Sequence, residues 1–174
     1  IKTLGGNVEV NETITFSAAV LLSLASSDLT LGATGTLISS SGAFGLTKMI
    51  VTDGAGTFKK EGTTAAHFSA FVTQTPASTG LYPLGTTGYF SPMSITSLAA
   101  TVAGTGSLSV RAVPSKQPNV PYYNNALIKY WEVASTNLSA ITANVNFTFN
   151  AAEVIGSVSF YVPRVWDGAS LSTV

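Results

Sequence analysis

Apolar and polar side chains alternate one by one along most of the chain, and no stretch carries a convincing helical repeat. The clearest segment is Ile141–Phe149. Ile141, Ala143, Val145, Phe147 and Phe149 point one way, and Thr142, Asn144, Asn146 and Thr148 the other. Leu108, Val110 and Ala112 alternate in the same manner with Ser107, Ser109 and Arg111, and Val158, Phe160 and Val162 with Ser157, Ser159 and Tyr161. A period of two puts successive side chains on opposite faces, so each segment is expected to be a strand with one buried and one polar face. Abundant Gly, Ser, Thr and β-branched residues disfavour long helices. These features predict an all-β chain, and 174 residues suit one domain with a full two-layer core.

The architecture expected from this is an antiparallel β-sandwich of jelly-roll or Greek-key type. Residues 41–174 form its main body and residues 1–40 are strands that pack on or extend it, with 1–16 a candidate donated strand. Asp53-Gly54-Ala55-Gly56 between Met49–Thr52 and Thr57–Lys60 reads as a hairpin turn, because Asp-Gly accepts the positive φ of a tight reversal. Residues 74–80, 103–106 and 114–121 read as loops, and Trp166-Asp167-Gly168 as a turn. The first third, with short fragments at 7–10, 13–16, 28–31 and 35–38, reads either as a few β-helix-like rungs or as the first strands of the sandwich. The sandwich is preferred, since solenoids need at least about three repeats to be stable.

Composition narrows the function. Charged residues are only 9% of the chain, against roughly 25% in an average soluble domain. Eight basic residues, scattered and balanced by eight acids, make no phosphate-tracking stripe, so nucleic acid is not an expected partner. Zero net charge favours association. The longest apolar run, Ala18–Leu22, is far short of the ~20 residues of a membrane helix, so no membrane insertion is expected. With no cysteine, stability must come from core and ladders. The start at Ile1, without Met, suggests a processed chain or an excerpt of a longer one.

Few residues suggest chemistry, and neither catalytic residues, metal nor cofactor are expected. His67 is the sole histidine. It lies in a strand-like run, out of phase with Phe68, and without cysteine or a second histidine it cannot complete the usual zinc or Ser-His-Asp site. The acids show no glycosidase pairing and no calcium-loop cluster. Asp28, Asp53 and Asp167 read as turn residues bonding nearby backbone N–H groups. In Leu127–Val133, Lys129 shares a face with Leu127 and Trp131. It is expected to snorkel, to pair with a carboxylate, or to form a covalent cross-link to Asn or Asp. Tyr82, Tyr89, Phe90, Tyr122, Tyr123 and Trp166 fall in or beside loops. They either plug the ends of the fold or present rings to sugars or proteins, Tyr122, Tyr123 and Trp166 being the most exposed. Asn11, Asn137 and Asn146 begin N-x-Ser/Thr glycosylation sequons.

Four segments resemble those of large secreted surface proteins of the Bacteroidetes. Ile50-Val-Thr-Asp-Gly-Ala-Gly-Thr-Phe-Lys-Lys60 is similar to their "VTDGxGTLxK" segment, and Tyr82-Pro-Leu-Gly-Thr-Thr-Gly-Tyr-Phe-Ser-Pro92 to "FPVGT…YxPV". Leu127-Ile-Lys-Tyr-Trp-Glu-Val133 resembles "LxRYWxV", and Tyr161–Gly168 a terminal "YRWDG". The resemblance implies an extracellular β-sandwich module of adhesin-like, multidomain proteins, with no catalytic residues to carry over. The expected role is therefore structural or adhesive, at the cell surface, through contacts with copies of itself, neighbouring domains or glycans. One alternative is a subunit of a self-assembling extracellular filament built by strand donation or edge pairing. A third is a carbohydrate-active enzyme, with Glu132 and Glu153 the carboxylates to test.

Overall fold

A computed structural model describes residues 1–78, 80–121 and 124–173. Its ladders are all-β, as the alternation predicts, with 3-10 turns the only helical elements among the described residues. The antiparallel sandwich is not what the first half forms. Strands β1 (Lys2–Thr3), β2 (Val8–Val10) and β3 (Thr13–Phe16) make one coil of chain, and β4 (Leu21–Ser23), β5 (Leu29–Leu31) and β6 (Thr36–Ser39) stack on it strand for strand, all parallel. A third coil follows: β7 (Met49–Val51), β8 (Phe58–Gly62), a 3-10 turn at Ala65–Phe68, and β9 (Val72–Thr73). These residues build a three-faced parallel solenoid, so the rung reading of the first third extends through residue 73. Coil length grows, Lys2 stacking under Leu22, Leu22 under Ile50 and Ile50 under Leu84.

The Asp53-Gly54 signal is a solenoid corner and not a hairpin. β7 and β8 belong to different faces and do not pair with each other. Glycine is needed there because corners stack closely. A Cβ on Gly54 would lie 2.0 Å from the Ala25 carbonyl oxygen, and one on Gly56 2.2 Å from that of Ser27.

The growing end is closed by antiparallel strands. β10 (Leu81–Tyr82) pairs with the start of β13 (Met93–Val113), β11 (Leu84–Thr86) adds to β7 in parallel, and β12 (Tyr89–Phe90) folds back on β11. β13 then runs antiparallel along β8. β14 (Tyr130–Phe147) returns along nearly all of β13 as a long two-stranded ribbon. The expected loop at 103–106 lies inside β13, where the register slips between Val102 and Ser107 and Gly104 takes φ +67°. That is a bulge, which bends the ribbon without ending it. Residues 158–160 form a 3-10 turn instead of the expected strand, and β15 (Arg164–Trp166) with β16 (Leu171–Thr173) makes a small C-terminal hairpin.

The core lies inside the solenoid. In-register stacking lines up columns such as Leu29–Phe58–Val110 and Leu22–Ile50–Leu84. Phe58, Phe71 and Tyr82 pack edge-to-face or tilted at centroid separations of 4.9–6.1 Å. One column is interrupted, since Lys60 stands between Leu31 and Leu108.

Candidate functional site

Polar side chains staple one coil to the next. Asn7 Oδ1 accepts the Asp28 N–H at 2.9 Å, and Asp28 Oδ1 accepts both the N–H and the hydroxyl of Thr57 at 2.8 and 2.9 Å. Asp53 does the same one coil further on, accepting from Thr87 N and Oγ1. Asp28 and Asp53 therefore bond residues about a coil away, and not their own turns as expected. Asp167 is a local turn residue, accepting from Ala169 and Ser170 N–H groups at 2.8 Å, which holds its carboxyl below the usual range.

Three lysines are buried. Lys48 donates to the Ser39 hydroxyl at 2.8 Å and to the hydroxyl and carbonyl of Ser41. Lys60 donates to the Gly32 and Ala33 carbonyls at 2.5 and 2.9 Å, 5.8 Å from the Phe71 ring centre. Burial lowers its pKa to about 8, against a smaller opposing effect of Glu61. Lys129 forms an ion pair with Glu153, both side chains buried, and also donates to Ser91 Oγ and, at 3.4 Å, to Thr86 Oγ1. Of the fates expected for Lys129, the structure gives the carboxylate pair. Desolvation pulls its pKa down, and the bond to Glu153 opposes that.

Glu153 is placed by local chemistry. Asn150 caps the 3-10 turn Ala151–Glu153, its Oδ1 accepting from Ala152 N at 2.9 Å, while Glu153 Oε2 accepts from Asn150 N at 2.6 Å. This reciprocal pair is a capping box, and the Asn-x-x-Glu spacing that announces it stands in the sequence. The Glu153 carbonyl takes the Ile128 N–H, so the segment after β14 tucks against the one before it.

Above this pair opens a cleft of about 340 Å³ lined by Asp53, Thr86, Thr87, Tyr89, Pro114, Ile128, Lys129 and Glu153. Asp53 and Glu153, a hundred residues apart in sequence, thus share one wall system, a proximity that spacing alone does not reveal. Both carboxylates are engaged internally, Asp53 by Thr87 and Glu153 by Lys129, Ser91 and Asn150. Glu132 lies elsewhere, on the ribbon surface, where it pairs with Arg111 Nε at 2.5 Å and accepts from Tyr130. The guanidinium holds its carboxyl below the ordinary range. His67 sits on the 3-10 turn at 65–68 and not in a strand, its Nδ1 accepting from Thr63 N at 3.1 Å. No group of three or more His, Cys, Asp or Glu suited to a metal occurs among the described residues.

The aromatic candidates separate. Tyr82 is buried at the core centre, its hydroxyl donating to the Phe68 carbonyl, so it offers no ring face to a ligand. Burial pushes its phenol pKa up. Tyr89 is half-buried on the cleft wall, 5.3 Å from the Lys129 ammonium. Phe90 packs against the core as a partly buried ring. Trp166 is exposed. Tyr122 and Tyr123 lie outside the described residues. Asn11, Asn137 and Asn146 are all exposed.

The second notable surface is the ribbon. Val145 stands opposite Ile95 and Phe147 opposite Met93, and opposite residues of an antiparallel pair share a face. Ile95 and Met93 are buried, whereas Ile141, Val145, Phe147 and Phe149 are each 38–46% exposed. The face expected to be buried is therefore open on β14. No family model, curated protein or solved structure matches the chain.

Proposed function

We propose that the chain is a non-catalytic, extracellular structural or adhesive module that works through contacts with proteins or glycans at the cell surface. One observation carries this reading: the end of β14 presents Ile141, Val145 and Phe147 exposed, on a strand with one edge unpaired among the described residues, while the acids of the cleft are spent on internal partners. Apolar faces of this kind mark interaction sites. Tyr89 on the cleft wall and the exposed Trp166 supply further aromatic surface. The test is a panel of purified surface glycans and cell-surface extracts presented to the chain, with hydrolase substrates in parallel. Saturable binding without turnover is expected. Turnover abolished by Glu153→Gln would overturn the reading in favour of a carbohydrate-active enzyme.

A second reading is a filament subunit, favoured by the first coil. β1, β2 and β3 are the terminal strands of all three solenoid sheets, so among the described residues one whole end is an open set of edges. Electron microscopy of the chain and of a variant lacking residues 1–16 separates the two. A filament subunit loses polymerisation, whereas a lone module loses only stability.

A further inference from the structure

From the ribbon we infer that two copies of this chain associate about a two-fold axis, the C-terminal arm of each covering the apolar face of β14 on the other. The inference rests on the reading of the chain as a contact module and names the partner as a second copy. Two apolar surfaces of one molecule lie open. The first is the strip of Ile141, Val145 and Phe147 on β14, with Phe149 just past its end. It continues the buried face of Met93 and Ile95 sideways, so the core runs out onto the ribbon, where Phe147 rests on the Trp131 ring at 4.9 Å and the strip is only partly covered. The second is the arm after Gly156, where Val158, Phe160, Val162 and Val165 are 51–71% exposed and Trp166 39%. Between them lies an open groove of about 480 Å³ lined by Phe149, Ala151, Val154, Gly156, Ser157 and Val158.

Charge raises no objection to contact. From Val133 to Trp166 the sequence contains two charged residues, Glu153, which is buried on Lys129, and Arg164, which is exposed on the arm. Area is sufficient. A full aromatic side chain covers ~150–250 Å² and an aliphatic one less, and these nine are 38–71% exposed, so covering all of them would bury roughly 800 Å² per copy. That is the share each partner contributes to a standard interface of about 1,600 Å². A strip and an arm on the same chain are reciprocal, so one two-fold operation satisfies both and closes the assembly.

Sedimentation velocity across a concentration series tests this, with circular dichroism to confirm folding. A monomer–dimer equilibrium is expected for the unaltered chain. Val145→Lys on the strip and Phe160→Lys on the arm should each weaken it by at least about tenfold in Kd, since each buries an unpaired charge. Leu46→Lys, at an exposed position outside both surfaces, should leave it unchanged. Two independent variants guard against one failing to fold. A monomer at every concentration overturns the inference, as does Phe160→Lys leaving the dimer intact, or a species that grows past the dimer. A monomer destabilised by Phe160→Lys would show that the arm closes on its own strip. A strict monomer that still binds surface glycans sinks the dimer and leaves the proposed function standing.

Discussion

In the solenoid, β4 to β8 each have a hydrogen-bonded neighbour on both edges, and Leu31, on the inner face of β5, is fully buried. In the ribbon, β14 has a neighbour on one edge only among the described residues, and Ile141 is 46% exposed. Both regions alternate apolar and polar residues in the same way. Coiling makes the difference: each turn of chain roofs the one before, so half of every strand faces a closed interior. The outer strand of the ribbon has no further coil stacked on it, so its apolar residues stay only partly covered. Alternation therefore specifies which residues share a face, and topology decides whether that face is dry.

Substitutions can break this contrast. The largest effect is expected at the junction of the two regions. Glu153→Leu leaves the Lys129 ammonium buried without its counter-charge and removes the cap on Asn150, and should cost about 3–5 kcal/mol in chemical denaturation. A Lys129→Met, Glu153→Leu double variant should recover much of that loss. Leu31→Ala should cost about 2–5 kcal/mol by opening a cavity next to the buried Lys60 in the same column. A loss below ~1 kcal/mol would mean the solenoid interior is not close-packed.

Lys60 gives the solenoid a pH signature. Its amine has a pKa of about 8 folded against an ordinary 10.5, so between those values the unfolded chain binds more protons and this group adds stability as pH rises. Relative to Lys60→Met, the unaltered chain should gain roughly 2–3 kcal/mol between pH 7.5 and 10.5. Parallel pH curves for the two proteins would show the amine to be solvated. Asp28→Ala, which unties Thr57 from the preceding coil, should cost about 1 kcal/mol. Ile141→Ser should change stability by less than ~0.5 kcal/mol when measured at dilution, below any self-association.

The strands were largely legible in the sequence, and their partners were not. Ile141–Phe149 reads correctly as strand as far as Phe147, because periodicity is local. The parallel stacking of Leu22 on Ile50 and Leu84 is non-local, and the lengthening coils hide any fixed repeat. The Asp53-Gly54 corner and a hairpin reversal need the same backbone freedom, so composition cannot tell them apart. At the candidate site, Lys129 could be assigned a carboxylate partner in kind, yet choosing Glu153 requires knowing that residues 150–155 fold back on 126–128. The Asn150-x-x-Glu153 spacing was the available clue to that turn.

Half of the six lysines in this chain, Lys48, Lys60 and Lys129, are enclosed, and enclosure shields a nucleophile as well as a charge. An acylating reagent should modify Lys2 at once and reach the enclosed amines only when the structure around each one opens. Lys48 and Lys60 would then time the breathing of the solenoid, and Lys129 the release of the C-terminal tuck. The molecule thus carries three built-in reporters of its own local unfolding, readable by mass spectrometry without adding a label site.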